Sequence, residues 1–262
     1  MKIFLIIYDT FNYPKFNLKE IISFISKKFP YIEIKKRTDF FNYWIKKDEI
    51  KNFAEEFVKI RVRDRKKILK NESILPVEIE YEIKRIRGVI KSHGIIYDGF
   101  EFQNICGKII SNKDKKEMNR NYINIILTNQ LIATFDEYDN SYHLRVIILG
   151  SPNIISTTGI IEALAKPKEY YFKIQMGYNE MELKDEFKDR IINFEDKEKI
   201  TEILKGYFSQ AIFYHVYGEL FCNDKGCRLY NSHWQQDAIF SQIESKYDFC
   251  EKHKKLLKKQ CF

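Results

Sequence analysis

The sequence predicts an α+β fold, a mixed β-sheet with packed helices, from three observations. Residues 2–35 run from an apolar stretch through a helical period to a short alternating stretch, a β-α-β opening. Tyr122 to Leu127 is largely apolar, and two further short runs follow it around a polar turn, the pattern of a central strand and a hairpin. Two helical periods, Glu182 to Ile192 and Lys197 to Leu220, come after them.

Each element has its own reason. Residues 2–8 meet an acid at Asp9 and read as a buried first strand. Leu18, Ile21, Ile22 and Ile25 share one helix face over 17–28, with Asn17 placed to cap it. Tyr31 to Lys35 alternates as a second strand, and Lys47 to Lys70 reads as one long mixed-charge helix. Ile83 to Ile90, Gly94 to Tyr97 and Lys108 to Ser111 read as short strands separated by turns. Leu131 to Phe135 and His143 to Leu149 pair across the turn Glu137–Asn140. Gly150 to Gly159 is turn-rich, and Ile160 to Ala165 is a short helix stopped by Pro167.

The totals bound the class. At 262 residues with only 10 Gly and 5 Pro, and with no linker-like stretch, one domain over 1–262 is expected. Charged residues at 31% and hydrophobic residues at 44% are ordinary for a globular chain. No stretch approaches the ~20 apolar residues of a membrane span, and no export signal precedes the first strand. With an odd number of cysteines, five, this predicts a cytoplasmic protein with thiols reduced or on metal. The net charge of +8 is partly local: residues 33–70 hold 13 basic against 7 acidic residues, and 251–262 hold five Lys against one Glu. Because the 46–70 stretch mixes both signs, it reads as a solvated helix face; a nucleic-acid surface is the alternative. No Ser-His-Asp set, phosphate loop or dinucleotide fingerprint is present.

The stretch richest in chemistry lies in the last quarter. Cys222 and Cys227 form C-x4-C, 22 residues follow, and Cys250 and His253 form C-x2-H. Two short-spaced pairs of soft donors are what a tetrahedral zinc ion requires. Three thiolates and one imidazole close the coordination shell, so such an ion staples 215–262 and leaves no position for a reacting water. Cys261 is a substitute fourth ligand, free buried cysteines are the alternative, and Cys106 reads as an isolated core residue. Upstream, Ile200, Leu204, Tyr207, Phe208, Ala211, His215 and Gly218 share one helix face, which puts His215 on the buried side.

Here the chain resembles the archaemetzincin-type zinc peptidases, whose pattern is H-E-x-x-H-x-x-G-x3-C-x4-C-x-M with a later C-x-x-C. His215, Gly218, Cys222 and Cys227 repeat its second half in register, with Leu229 in place of the Met. Cys250-x-x-His253 stands for the last pair; on the family's own spacing Cys250 is instead the final cysteine and Tyr247 replaces its partner. The chain also looks like uncharacterised archaeal metallopeptidase relatives over Ile125–Thr134, His143, Arg145, Gly150, Ser156–Gly159, Glu162 and Pro167. The resemblance implies a metzincin-like second half, a structural zinc at the cysteines, and extra material over 40–120.

The departures decide the expected activity. The H-E-x-x-H segment falls on Ala211-Ile212-Phe213-Tyr214-His215, so the first zinc histidine is Ala211, the general base is Ile212, and the third histidine is Phe221. A catalytic zinc needs about three protein ligands, and the hydrolysis needs a carboxylate to take the proton from water. The chain is thus expected to be a degenerate peptidase homologue, a pseudoenzyme that binds peptides or protein partners in a remnant groove. The alternative is a metal-dependent hydrolase on a rebuilt site, with His215 and Glu219 at i, i+4 joined by His143 or His233.

Overall fold

The computed structural model describes residues 2–10, 14–68, 73–90 and 94–259. In chain order the first elements are β1 (Ile3–Tyr8), α1 (Leu18–Lys28), β2 (Ile32–Arg37), α2 (Phe40–Trp44), α3 (Ile50–Lys59) and α4 (Pro76–Ile86). The middle of the chain holds β3 (Ile96–Asp98), α5 (Gly99–Lys113), β4 (Tyr122–Thr128), β5 (Leu131–Asp136), β6 (Ser141–Arg145), β7 (Ile147–Ile148) and β8 (Asn153–Ser156). Six helices follow: α6 (Gly159–Glu162), α7 (Lys168–Gln175), α8 (Glu180–Glu186), α9 (Lys197–Tyr217), α10 (Gln235–Ile239) and α11 (Glu251–Lys259). The fold is α+β, and the chain divides into two compact units, one centred on 34–159 with residues 3–12, the other on 160–262 with residues 13–33.

The first unit carries the sheets. Five strands run in the order β2-β1-β4-β8-β7, with β1, β4 and β8 mutually parallel and β7 antiparallel to β8. A second, three-stranded sheet has the order β3-β5-β6, with β3 parallel and β6 antiparallel to β5. Both sheets are therefore mixed. β4 is buried from Ile123 through Thr128, as its apolar run requires of a central strand covered on both faces. The core under these strands is Tyr8, Phe41, Phe57, Phe102, Ile126 and their neighbours, with Phe41, Phe57 and Phe102 edge to face.

Several sequence readings need correction here. The long helix expected over 47–70 is only ten residues, Ile50–Lys59. The sheet edge takes the chain from there: Val62 N donates to Ile96 O at 2.8 Å, Asp98 N donates to Ile60 O at 2.8 Å, and Arg61 bridges Tyr97. A backbone group paired with a strand cannot also pair within a helix. The first half of the expected strand Ile83–Ile90 is the last turn of α4, which starts on Pro76 and buries Glu82 and Arg85 on its inner face, and the second half is a turn. Lys108–Ser111 lies inside α5. The run His143–Leu149 is split, because β6 ends at Arg145 and β7 joins the other sheet. The turn-rich 150–159 contains β8, α8 stops at Glu186, and α7 was not anticipated. The Leu131–Phe135 hairpin stands, with Asn140 at φ 50 in its turn.

The second unit is helical. Asn17 caps α1 by accepting from Glu20 N, and its own N–H donates to Thr201 Oγ1 at 2.9 Å, joining α1 to α9. α9 is buried all round from Ile203 to Phe213, including Lys205, whose ammonium is paired with Glu20 and Glu202. A helix enclosed on every side is a fixed frame for whatever follows it. No helix among the described residues is long and apolar enough to cross a membrane.

Candidate metal centre

The site is built on the end of α9. Gly218 takes the left-handed conformation, φ 69, and its N–H closes on Tyr214 O at 3.0 Å. That residue type ends helices because it has no Cβ to clash there. The chain then turns into a loop in which Cys222 N donates to Leu229 O at 2.8 Å and Cys227 N to Asp224 O at 3.0 Å. Asp224 accepts from Gly226 N at 2.9 Å and from the Tyr247 hydroxyl at 2.8 Å. Gly226 is required by close approach, since a Cβ there would meet Tyr247 Oη at 2.6 Å. Arg228 ties the loop in place: it donates to Asp248 Oδ1 at 2.6 Å and to Glu202 of α9 at 3.0 Å.

Cys250 sits at the start of α11, where its carbonyl accepts from Lys254 N at 2.9 Å. His253 is one turn further on, fully buried, with its ring edge to face on Phe213 at 5.2 Å. The ligand atoms of Cys222, Cys227, Cys250 and His253 all lie within 4.8 Å of one another. Cys222 Sγ is 3.8 Å from Cys250 Sγ, and His253 Nδ1 is 3.5 Å from Cys227 Sγ and 3.0 Å from Cys250 Sγ.

The 3.8 Å and 3.5 Å separations match the edges of a zinc tetrahedron, and the 3.0 Å one is shorter than such an edge. Tetrahedral bonds of ~2.3 Å to sulfur and ~2.05 Å to nitrogen give S···S edges of about 3.8 Å and S···N edges of about 3.6 Å. Burial pushes the Cys227 thiol up to about 12 and raises that of Cys222, while burial also lowers His253. Without metal, Cys222, Cys227 and His253 are therefore uncharged near neutral pH, with a free imidazole lone pair available. A divalent ion would displace the thiol protons and compensate the buried thiolates. Four protein donors leave no open coordination position, so the arrangement suits a staple rather than water activation.

The structure also distinguishes the alternative ligands. Tyr247 gives its hydroxyl to Asp224, and the Nδ1 of His253 points among the thiols. Cys261 lies outside the described residues, and Cys106 is buried in the core of the other unit. Among the described residues, one other set converges closely enough for a metal, Asp136, Asp139 and His143 on the β5–β6 hairpin. There His143 Nε2 is 2.6 Å from Asp139. His215, Glu219 and His233 belong to neither set. His215 is half-buried rather than enclosed, and His233 is exposed. Glu219 is held by Lys252 at 2.6 Å.

In the segment that the resemblance aligns with H-E-x-x-H, Ala211, Ile212 and Phe213 are fully buried, and Phe221, at the position of the third histidine, is exposed. The polar residues around 156 have local roles: Ser156 Oγ accepts from Gly159 N at 2.9 Å, and Arg145 donates to Thr134 Oγ1 at 2.8 Å. One feature escaped the sequence reading. A cavity of about 650 Å³ lies at the carboxyl ends of β1 and β2, lined by Asp9, Arg37, Asp39, Asn42 and Tyr43 among others. Strand carboxyl ends are where open α/β sheets hold ligands, so the predicted β-α-β opening already carried that signal.

No curated protein matches the chain. Among solved structures, archaemetzincin from Methanopyrus kandleri is similar at 13% identity and a TM-score of 0.45, covering 99% of this chain and 95% of that one. Residues 1–260 match the family described as "Probable metallopeptidase family (DUF6775)". The chain belongs to that metallopeptidase family.

Proposed function

We propose that the protein is an archaemetzincin-like member of this family that holds one structural zinc at Cys222, Cys227, Cys250 and His253 and has no H-E-x-x-H peptidase activity. The observation that carries the reading is the convergence of four soft donors at zinc-like spacings. The enclosed Ala211 and Ile212, with Phe221 at the third histidine position, support the loss of activity, since none of them can bind a metal or accept a proton. The role left to such a protein is binding, of peptides or protein partners, with residues 1–262 acting as a single metzincin-like domain and 215–262 as its zinc-binding part. A cytoplasmic location accords with this, because there the thiols stay reduced for the metal.

The test is zinc stoichiometry by elemental analysis, on the wild-type chain and on His215→Ala. One zinc in both is the expected result. Two in the wild type and one in the variant would overturn the reading and favour a rebuilt catalytic site on His215 and Glu219.

A further inference from the structure

His253 has two ring nitrogens, and only one faces the thiols. Nδ1 lies 3.0 Å and 3.5 Å from Cys250 and Cys227. Nε2, on the opposite edge of a fully buried ring, has no hydrogen-bond partner. A buried ring N–H without an acceptor is costly, of order 1–3 kcal/mol. The charged group beside it is Glu219, with Oε2 at 3.9 Å, an ion-pair rather than a hydrogen-bond separation. Glu219 immediately follows the Gly218 that ends α9, and Lys252, next to His253 on α11, fixes the same Oε2 at 2.6 Å.

Resting on the zinc reading above, we propose that Glu219 is a positioning residue for the metal: when zinc binds, its carboxylate closes from 3.9 Å onto the Nε2–H of His253 and so fixes Nδ1 as the atom that meets the ion. The ring's tautomer follows from this. With the proton held on Nε2, the lone pair is on Nδ1, aimed between Cys227 and Cys250. The carboxylate also raises the basicity of the imidazole, as the outer partners of metal-bound histidines do. Glu219 then has a function although it touches no metal, and the end of α9 is joined to the metal site through one side chain.

The competing explanation is that Glu219 and Lys252 merely clamp α9 to α11. Two variants separate these readings in the full chain. Glu219→Ala removes the acceptor for Nε2, whereas Lys252→Ala breaks the clamp and leaves the carboxylate beside His253. Zinc affinity is measured by competition with a chromophoric chelator, and the ligand field by the absorption of the Co(II)-loaded chain. We expect Glu219→Ala to weaken zinc by about 10–100-fold and to shift the Co(II) bands. Lys252→Ala should weaken zinc by less than about fivefold, as loss of an exposed ion pair does. Glu219→Gln keeps an acceptor oxygen and should recover most of the affinity; it also carries the test if the alanine variant does not fold. Equal effects of Glu219→Ala and Lys252→Ala, or no effect of either, would overturn this inference alone. A wild-type chain that takes up no zinc would overturn the zinc reading and this inference with it.

Discussion

On the proposed zinc staple, removing the metal should cost the protein about 4 kcal/mol. Cys222 and Cys250 are 28 residues apart, and Cys227 and His253 are 26 apart. Treating the metal as a cross-link that closes a ~28-residue loop, the lost chain entropy is worth about 3.6 kcal/mol. Mass action gives a similar figure: free zinc at ~1,000 times its Kd stabilises the folded state by about 4 kcal/mol. At roughly 2–4 °C per kcal/mol for a chain of this size, a strong chelator should lower Tm by about 8–16 °C. The assay is thermal unfolding followed by far-ultraviolet circular dichroism, with and without chelator, then with zinc restored. The effect should shrink as pH falls from 8 to 6, because the buried Cys227 thiol, pushed up to about 12, must give up its proton to the metal and lower pH therefore weakens zinc binding. A purified chain that contains no zinc and whose Tm moves by less than ~1 °C on chelation would refute the reasoning.

Two further predictions concern the other unit. Burial pushes the Asp39 carboxyl up to about 6 even though it caps α2 by accepting from Phe41 N and Asn42 N. Its folded pKa lies above its unfolded one, so its neutral form is favoured by folding and its contribution to stability falls as pH rises from about 4 to 6. Asp39→Asn, which keeps the cap, should stabilise the chain by up to about 3 kcal/mol at pH 7 and by nothing below pH 4, measured as the difference in urea midpoints across that range. Glu82 is fully buried among Arg85, Arg61 and the Tyr97 hydroxyl, which donates to it at 2.6 Å. Burial opposes its charge, but these partners outweigh it and hold the carboxyl below the usual range. Glu82→Ala should therefore destabilise by about 3–5 kcal/mol, since it leaves the Arg85 charge buried without its counter-ion. A loss under ~1 kcal/mol in chemical denaturation would show that the pair is not what holds α4 in place.

How much was legible depended on whether the signal was local. Asn17 capping α1, the apolar β4 and the β5–β6 hairpin are all written in short-range spacing, and each stands in the structure. α4 was hidden because two charged residues occupy its inner face, and only pairing with Arg61 and Tyr97 makes that burial tolerable. α3 was overdrawn because nothing in the charges of 60–68 shows that a strand edge captures the chain at Ile60–Val62.

The sequence by itself determined the family, the four-donor pattern and the loss of the H-E-x-x-H groups. These are matters of residue identity and spacing, and folding cannot supply a ligand that Ala211 or Ile212 lacks. Tertiary structure decided which residues converge: His253 rather than Tyr247 beside the thiols, and Glu219 behind the histidine. It also decided that His143 faces Asp139. A ligand set is legible when its donors are a few residues apart on one turn. It becomes a site only when distant segments, here the end of α9 and the start of α11, are fixed against one another by packing and buried hydrogen bonds.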